Sequence, residues 1–141
     1  MIKIGRIYDI DKYSGNVWLI VRSPDEIPEG VIYVPQLAPS KELFQKYREA
    51  FHNGMFDKSF FDNIYVPQFL KELSKNEDAF VILNELKNQS FTNDYLLCCY
   101  CENKELCHRS IIAGILLGMG AEIDTKEIYI KYFNMYEELR K

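Results

Sequence analysis

An apolar run, Tyr95-Leu96-Leu97-Cys98-Cys99-Tyr100, breaks into the polar segment Cys101-Glu102-Asn103-Lys104-Glu105-Leu106-Cys107-His108-Arg109-Ser110. That segment leads into the helical pattern of Ile111, Ile112, Ile115, Leu116 and Met119. A strand, a loop and a helix in direct succession are the unit from which α/β domains are built, and such domains place their sites at the carboxyl ends of strands. The stretch holds all four cysteines and one of the two histidines. It sets both the expected fold class and the place where chemistry is sought first.

With 141 residues, 48% of them hydrophobic, the chain fits a single domain spanning 1–141 with enough apolar content to bury a core. Met1-Ile2-Lys3-Ile4-Gly5-Arg6 lacks the apolar stretch of a signal peptide, and no run reaches the ~20 residues of a membrane span. The expected setting is cytoplasmic, without membrane contact. In a reducing compartment, cysteines gathered at one place point to catalysis, metal binding or core packing rather than disulfides, and adjacent Cys98 and Cys99 are poor partners for each other. A net charge of -4 argues against bulk nucleic-acid binding, which uses a basic face. Lys104, His108 and Arg109 still form a local basic cluster suited to a small anionic ligand.

Along the chain, Ile2 to Ile10 and Asn16 to Arg22 read as strands joined by the turn Asp11-Lys12-Tyr13-Ser14-Gly15, so the domain is expected to open with a β-hairpin. Two prolines and a glycine make Ser23 to Gly30 a loop. Val31 to Val34 is a short extended piece, and Ser40 offers an N-cap for a helix from Lys41 to His52, ended by Asn53-Gly54. Asp57 caps a helical stretch that Pro67 is expected to kink or restart. A helix from Asn76 to Asn88 precedes the strand Tyr95 to Tyr100. The next helix, Ser110 to Met119, is expected to end at Gly120. Gly114 and Gly118, four residues apart on one face, suggest close packing of that helix on the sheet. Ala121 to Ile123 reads as a last short strand. Thr125 to Lys141 reads as a helix with Tyr129, Tyr132, Phe133 and Tyr136 as aromatic anchors. The fold expected is one α/β domain with a Rossmann-like, mostly parallel sheet flanked by helices.

The cysteine loop admits three kinds of chemistry. A thiolate on Cys101 or Cys107 is stabilised by the positive end of the following helix with Arg109 and Lys104, making it nucleophilic. Alternatively, free backbone N–H groups near Ser110 and the Arg109 guanidinium cradle a phosphate, with the cysteines as bystanders. In the third, Cys99, Cys101, Cys107 and His108 ligate zinc, although zinc sites favour ligand pairs about two to four residues apart and Cys107 and His108 are neighbours. Cys98 and Cys99 read as small buried hydrophobes of the strand. His108 reads first as a ring satisfying a backbone carbonyl near the helix start. Arg109 stands out, because a cation in the first helical turn opposes the dipole and calls for an anion to meet it.

The run Cys101-Glu102 through Cys107-His108-Arg109 resembles the signature of the domain-of-unknown-function family 488, a Cys-Glu loop ending in Cys-His-Arg. Ile7-Tyr8-Asp9, the strand ending in Arg22, and Leu37-Ala38-Pro39-Ser40-Lys41-Glu42-Leu43 resemble that family's short-chain branch. The branch carries Asp-Arg where Val21-Arg22 stands here, a Trp-Pro-Arg-Gly loop in place of Ser23 to Gly30, and a Phe-Gly-His matched only in part by Phe51-His52. The family implies a Rossmann-like α/β fold and carries no settled activity. The order of strand, cysteine loop, Arg109-Ser110 and helix is also similar to rhodanese-like sulfurtransferases, with a longer loop; the Cys-x5-Arg loop of cysteine phosphatases does not fit, since Cys107 occupies the arginine position. The resulting expectation is a site for a small phosphorylated or nucleotide-like anion. Arg22, Arg109, Ser110 and Lys104 bind the anion, Cys101 is the nucleophile, and Glu102, Cys107 and His108 complete the catalytic group as a cysteine-dependent transferase or hydrolase. The competing expectation is a non-catalytic ligand-binding module or a loop held by zinc. The residues assign no cofactor and no resident metal.

Overall fold

A computed structural model describes the whole chain, Met1–Lys141. Four strands, β1 (Ile2–Arg6), β2 (Asn16–Leu19), β3 (Val31–Tyr33) and β4 (Tyr95–Cys99), form one sheet in the order β1-β4-β2-β3. Every neighbouring pair is parallel. This is the α/β class expected from the sequence, but the opening hairpin is absent: β4 lies between β1 and β2, with Cys98 opposite Gly5 on one side and Leu19 on the other. Alternation identifies a strand without naming its partner. The most uniformly buried strand, Leu96 to Cys99, takes a central position.

The strand ends also differ from expectation. β1 stops at Arg6, and Ile7–Lys12 winds into a 3-10 turn. β2 stops at Leu19 rather than Arg22. Ala121 to Ile123 contributes a single parallel bridge, Ile2 to Ile123, rather than a strand.

Helix α1 (Lys41–His52) begins where Ser40 Oγ accepts the Leu43 N–H. Asp57 caps the short α2 (Lys58–Phe60), which continues through a π-helical turn at Phe61–Tyr65 into α3 (Val66–Ser74). Pro67 therefore does not restart the helical path, which is irregular just before it. The wider turn before it relieves the clash its ring would make with the carbonyl four residues back. Asn76 caps α4 (Glu77–Gln89). Helix α5 (His108–Met119) starts two positions before the expected Ser110 and ends at Gly120, whose φ of 93° only glycine adopts easily. The C-terminal helix α6 (Ile130–Arg140) starts later than Thr125, after a 3-10 turn at Glu127–Tyr129.

The main core joins all the longer helices to one sheet face through Ile2, Ile20 and Leu97. A second, smaller cluster holds Ile7, Leu19, Val21, Leu96, Cys98, Cys99 and Cys107, covered partly by Ile10 and Tyr13. Gly114 and Gly118 serve a different neighbour from the one expected. A Cβ on Gly114 would stand 2.0 Å from the Tyr129 carbonyl oxygen, and one on Gly118 would stand 2.0 Å from Phe133 Cγ. The glycine face of α5 thus receives the 3-10 turn at Glu127–Tyr129 and α6 rather than the sheet, and the aromatic stripe is what it receives, with Tyr129, Tyr132 and Tyr136 buried. No helix is long and apolar enough to cross a membrane.

Candidate functional site

Parallel strands all point their carboxyl ends to one edge, so the segments following β2 and β4 converge there with the start of α5. Cys99 is the last residue of β4, Cys101 lies in the loop, and Cys107 is the N-cap residue of α5. Their three Sγ atoms lie within 4.8 Å of one another, with Cys99 and Cys107 3.0 Å apart. Cys99 and Cys107 are buried, whereas Cys101 is partly exposed. The neighbouring Cys98 points away from the cluster, with its thiol 3.4 Å from the Trp18 carbonyl, and burial pushes it up to about 12.

Arg109 supplies the charge that organises these sulfurs. Its side chain is 2% exposed and has no carboxylate partner. Nη1 donates to the Gly5 carbonyl at 2.9 Å and to Cys99 Sγ at 3.3 Å, while Nε has no partner. A buried cation without a counter-charge is costly, so the sulfur cluster is where the balancing negative charge belongs. Within the cluster the direction favours Cys101, whose thiol is pushed down by hydrogen bonding with Cys107 and then Cys99. Hydrogen bonding to Cys101 pushes Cys99 up to about 12, and burial raises Cys107. His108 fixes the arrangement from the other side. Its Nε2 lies 2.5 Å from the Ile20 carbonyl, which can only accept, so Nδ1 is the unprotonated nitrogen facing Cys107 Sγ at 3.7 Å. Burial keeps the ring neutral by pushing its pKa down.

The cluster opens into a cavity of about 570 Å³, within the range of small-ligand sites. Helix α1 presents Phe44, Tyr47 and Phe51 to it, together with Arg48 and His52. Tyr47 and Phe56 meet edge to face at 4.8 Å, and the Arg48 guanidinium lies 5.8 Å over the Phe44 ring. Burial, followed by the charge and hydrogen bond of Cys101, raises the Tyr47 phenol above its ordinary range. Arg22 borders the cavity, with Nε donating to the Pro39 carbonyl and Nη2 to the Pro35 carbonyl. The Leu37-Ala38-Pro39-Ser40 segment is thereby tied to the end of β2. Leu37 is core, Pro39 holds Arg22, and Ser40 both caps α1 and donates its hydroxyl to Glu72.

Of the residues singled out from the sequence, Cys101, Glu102, Cys107, His108 and Arg22 line the cavity. Glu102 sits at the rim, 87% exposed, 3.7 Å from Arg6. Arg109 lies behind the sulfurs rather than in the cavity. The Ser110 hydroxyl is buried and donates to the Cys107 carbonyl, completing the helix start. Lys104 belongs to the outer 3-10 turn Lys104–Leu106 and does not reach the cavity lining. Sequence reasoning placed Cys99 in the site only under the zinc reading and otherwise took it as core, and it missed the α1 wall of Tyr47 and Arg48. Cys99 and Cys101 share a strand side by their spacing of two, a signal that was present. Nothing local in Arg48 distinguishes it from a surface arginine.

The family described as the active DUF488-N3 subclade, DUF488-N3a, matches residues 2–120. No curated protein and no solved structure matches the chain. The match runs from β1 through the end of α5, across every element that builds the sulfur cluster and the cavity, and the chain belongs to the DUF488 family.

Proposed function

We propose that the cavity binds a small anionic ligand bearing a planar, nucleotide-like group and that Cys101 acts on it as a nucleophile. One observation carries this reading. The buried Arg109 has only the sulfur cluster as counter-charge, and Cys101 is the one clustered sulfur partly exposed in the cavity. The aromatic faces of Phe44, Tyr47 and Phe51 suit a planar group, and Arg22 and Arg48 supply donors for its anionic part. Cys101 attacks an electrophilic centre of the ligand, forming a bond from sulfur as the leaving group departs. Glu102 at the rim passes a proton between that group and solvent. Arg109 and His108 act through the sulfurs: the first holds the negative charge in place, the second orients Cys107. The description of the matched family as active agrees with a chemical role.

Alkylation of each cysteine by iodoacetamide, mapped by mass spectrometry across pH with and without chelator, tests this. The expected result is that Cys101 reacts fastest, with a midpoint well below the ~8.5 of a free thiol, and is protected by adenosine monophosphate. Ordinary, slow reaction at all four positions overturns the nucleophile. A second reading rests on the three sulfurs lying within 4.8 Å, a spacing that suits one soft cation. Reaction of Cys99, Cys101 and Cys107 only after chelation would favour it.

A further inference from the structure

We propose that Cys101 and Cys107 form a reversible oxidative modification site. A hydroperoxide entering the cavity converts the pair to a disulfide that withdraws the reactive sulfur. The inference rests on the reading of Cys101 as the accessible nucleophile and adds a regulatory role to the same site. Exposure decides which sulfur reacts first. Cys99 and Cys107 are 0% and 2% exposed, and Cys101 faces the cavity through which a small oxidant arrives.

Two sulfurs stand within 4.8 Å of Cys101, and their surroundings differ in the respect that matters for the second step. Cys107 has a base beside it: His108 Nδ1 lies 3.7 Å from its sulfur, and the bond from Nε2 to Ile20 leaves that nitrogen free to take a proton. Cys99 has instead the Arg109 guanidinium at 3.3 Å, a donor that cannot accept one. Cys107 is therefore the resolving thiol. Cys101 belongs to the loop between β4 and the 3-10 turn, outside any strand or helix, so its backbone can give the movement that a sulfur–sulfur bond of about 2.05 Å requires.

The chemistry balances. The Cys101 thiolate attacks the peroxide, the oxygen–oxygen bond breaks, and Cys101 becomes a sulfenic acid while the alkoxide leaves and is protonated by water. Cys107 then gives its proton to His108 Nδ1 and attacks the Cys101 sulfur. The sulfur–oxygen bond breaks, and the departing hydroxide takes the proton from His108 as water. Overall, one thiolate, one thiol and one hydroperoxide yield a disulfide, an alcohol and a hydroxide that the buffer neutralises. A thiol reductant reverses the bond and restores Cys101 to the cavity.

The test is to treat the full, reduced chain with one equivalent of hydrogen peroxide and map the products by intact and peptide mass spectrometry. The expected product has lost two hydrogens and carries a Cys101–Cys107 link. Cys99→Ser should still form it, whereas Cys107→Ser should stop at a Cys101 sulfenic acid trapped by dimedone. A Cys99–Cys107 or Cys99–Cys101 link in the unmodified sequence overturns the proposal, as does sulfinic acid at Cys101 without any disulfide. Neither result needs a variant to fold. Fast alkylation of Cys101 together with one of those results removes this inference and leaves the nucleophile standing; ordinary alkylation of Cys101 removes the nucleophile itself.

Discussion

At the scale of single residues, the site depends on a cation that no ligand touches. Arg109 is buried behind the sulfurs and hydrogen-bonded to Gly5 and Cys99, so its influence on the cavity passes through the charge it stabilises. Arg109→Met keeps much of the volume and removes the charge. The alkylation midpoint of Cys101 is then expected to rise by about 1–3 pH units, the usual effect of losing an opposite charge at this range. Stability should fall by about 1–3 kcal/mol, because the Gly5 carbonyl loses its donor. An unchanged midpoint in the same titration would remove Arg109 as the counter-charge. The sequence showed that an arginine in the first turn of a helix needs an anion nearby. That the group it meets is sulfur from the chain itself depends on β1 and β4 lying side by side, which local pattern does not encode.

At the scale of elements, the site is held by two junctions. The first ties α1 to the sheet through Arg22, Pro39 and Ser40, and so sets the aromatic wall against the cysteine loop. The second is the contact of α5 with α6, where glycines replace side chains. Gly114→Ala would drive a methyl group into the Tyr129 carbonyl, a backbone atom that cannot turn aside, whereas Gly118→Ala meets the Phe133 ring. Both are expected to destabilise by about 1–3 kcal/mol in urea melts, Gly114→Ala the more, since overpacking against backbone leaves no rotamer to escape into. Equal or higher stability of Gly114→Ala would contradict this packing. The spacing of the two glycines was visible in the sequence as a close approach. Its partner was not, because a smooth helix face fits a sheet or another helix equally well.

At the scale of the whole molecule, the buried cysteines and His108 make stability depend on pH in both directions. Cys98, Cys99 and Cys107 are raised in the folded chain, so it binds their protons more tightly than the unfolded chain does, and stability falls as pH rises above the ~8.5 of unfolded thiols. Cys101 is lowered, and its contribution, complete above ~8.5, is lost as pH falls toward its folded value. His108 is also lowered, so the unfolded chain gains a proton first, and stability drops further as pH falls through ~6.5. Urea melts of the reduced protein are expected to show a maximum between these limits, with the steeper loss on the alkaline side, where three thiols act together. A curve flat from pH 6 to 10 would show that the cysteines are not perturbed as described. The sequence by itself determined the elements that follow from local chemistry: an α/β chain, helix caps at Ser40 and Asp57, a stop at Gly120, and a strand-loop-helix unit carrying the cysteines. Tertiary structure alone decided that β4 separates β1 from β2, that α6 rather than the sheet lies on the glycines, and that Cys99 joins Cys101 and Cys107 while Arg48 and Tyr47 face them across a cavity. The physical reason is range. Caps, turns and periodicity act within a few residues and are written locally, whereas strand order and the meeting of side chains far apart in sequence depend on which apolar faces bury one another best.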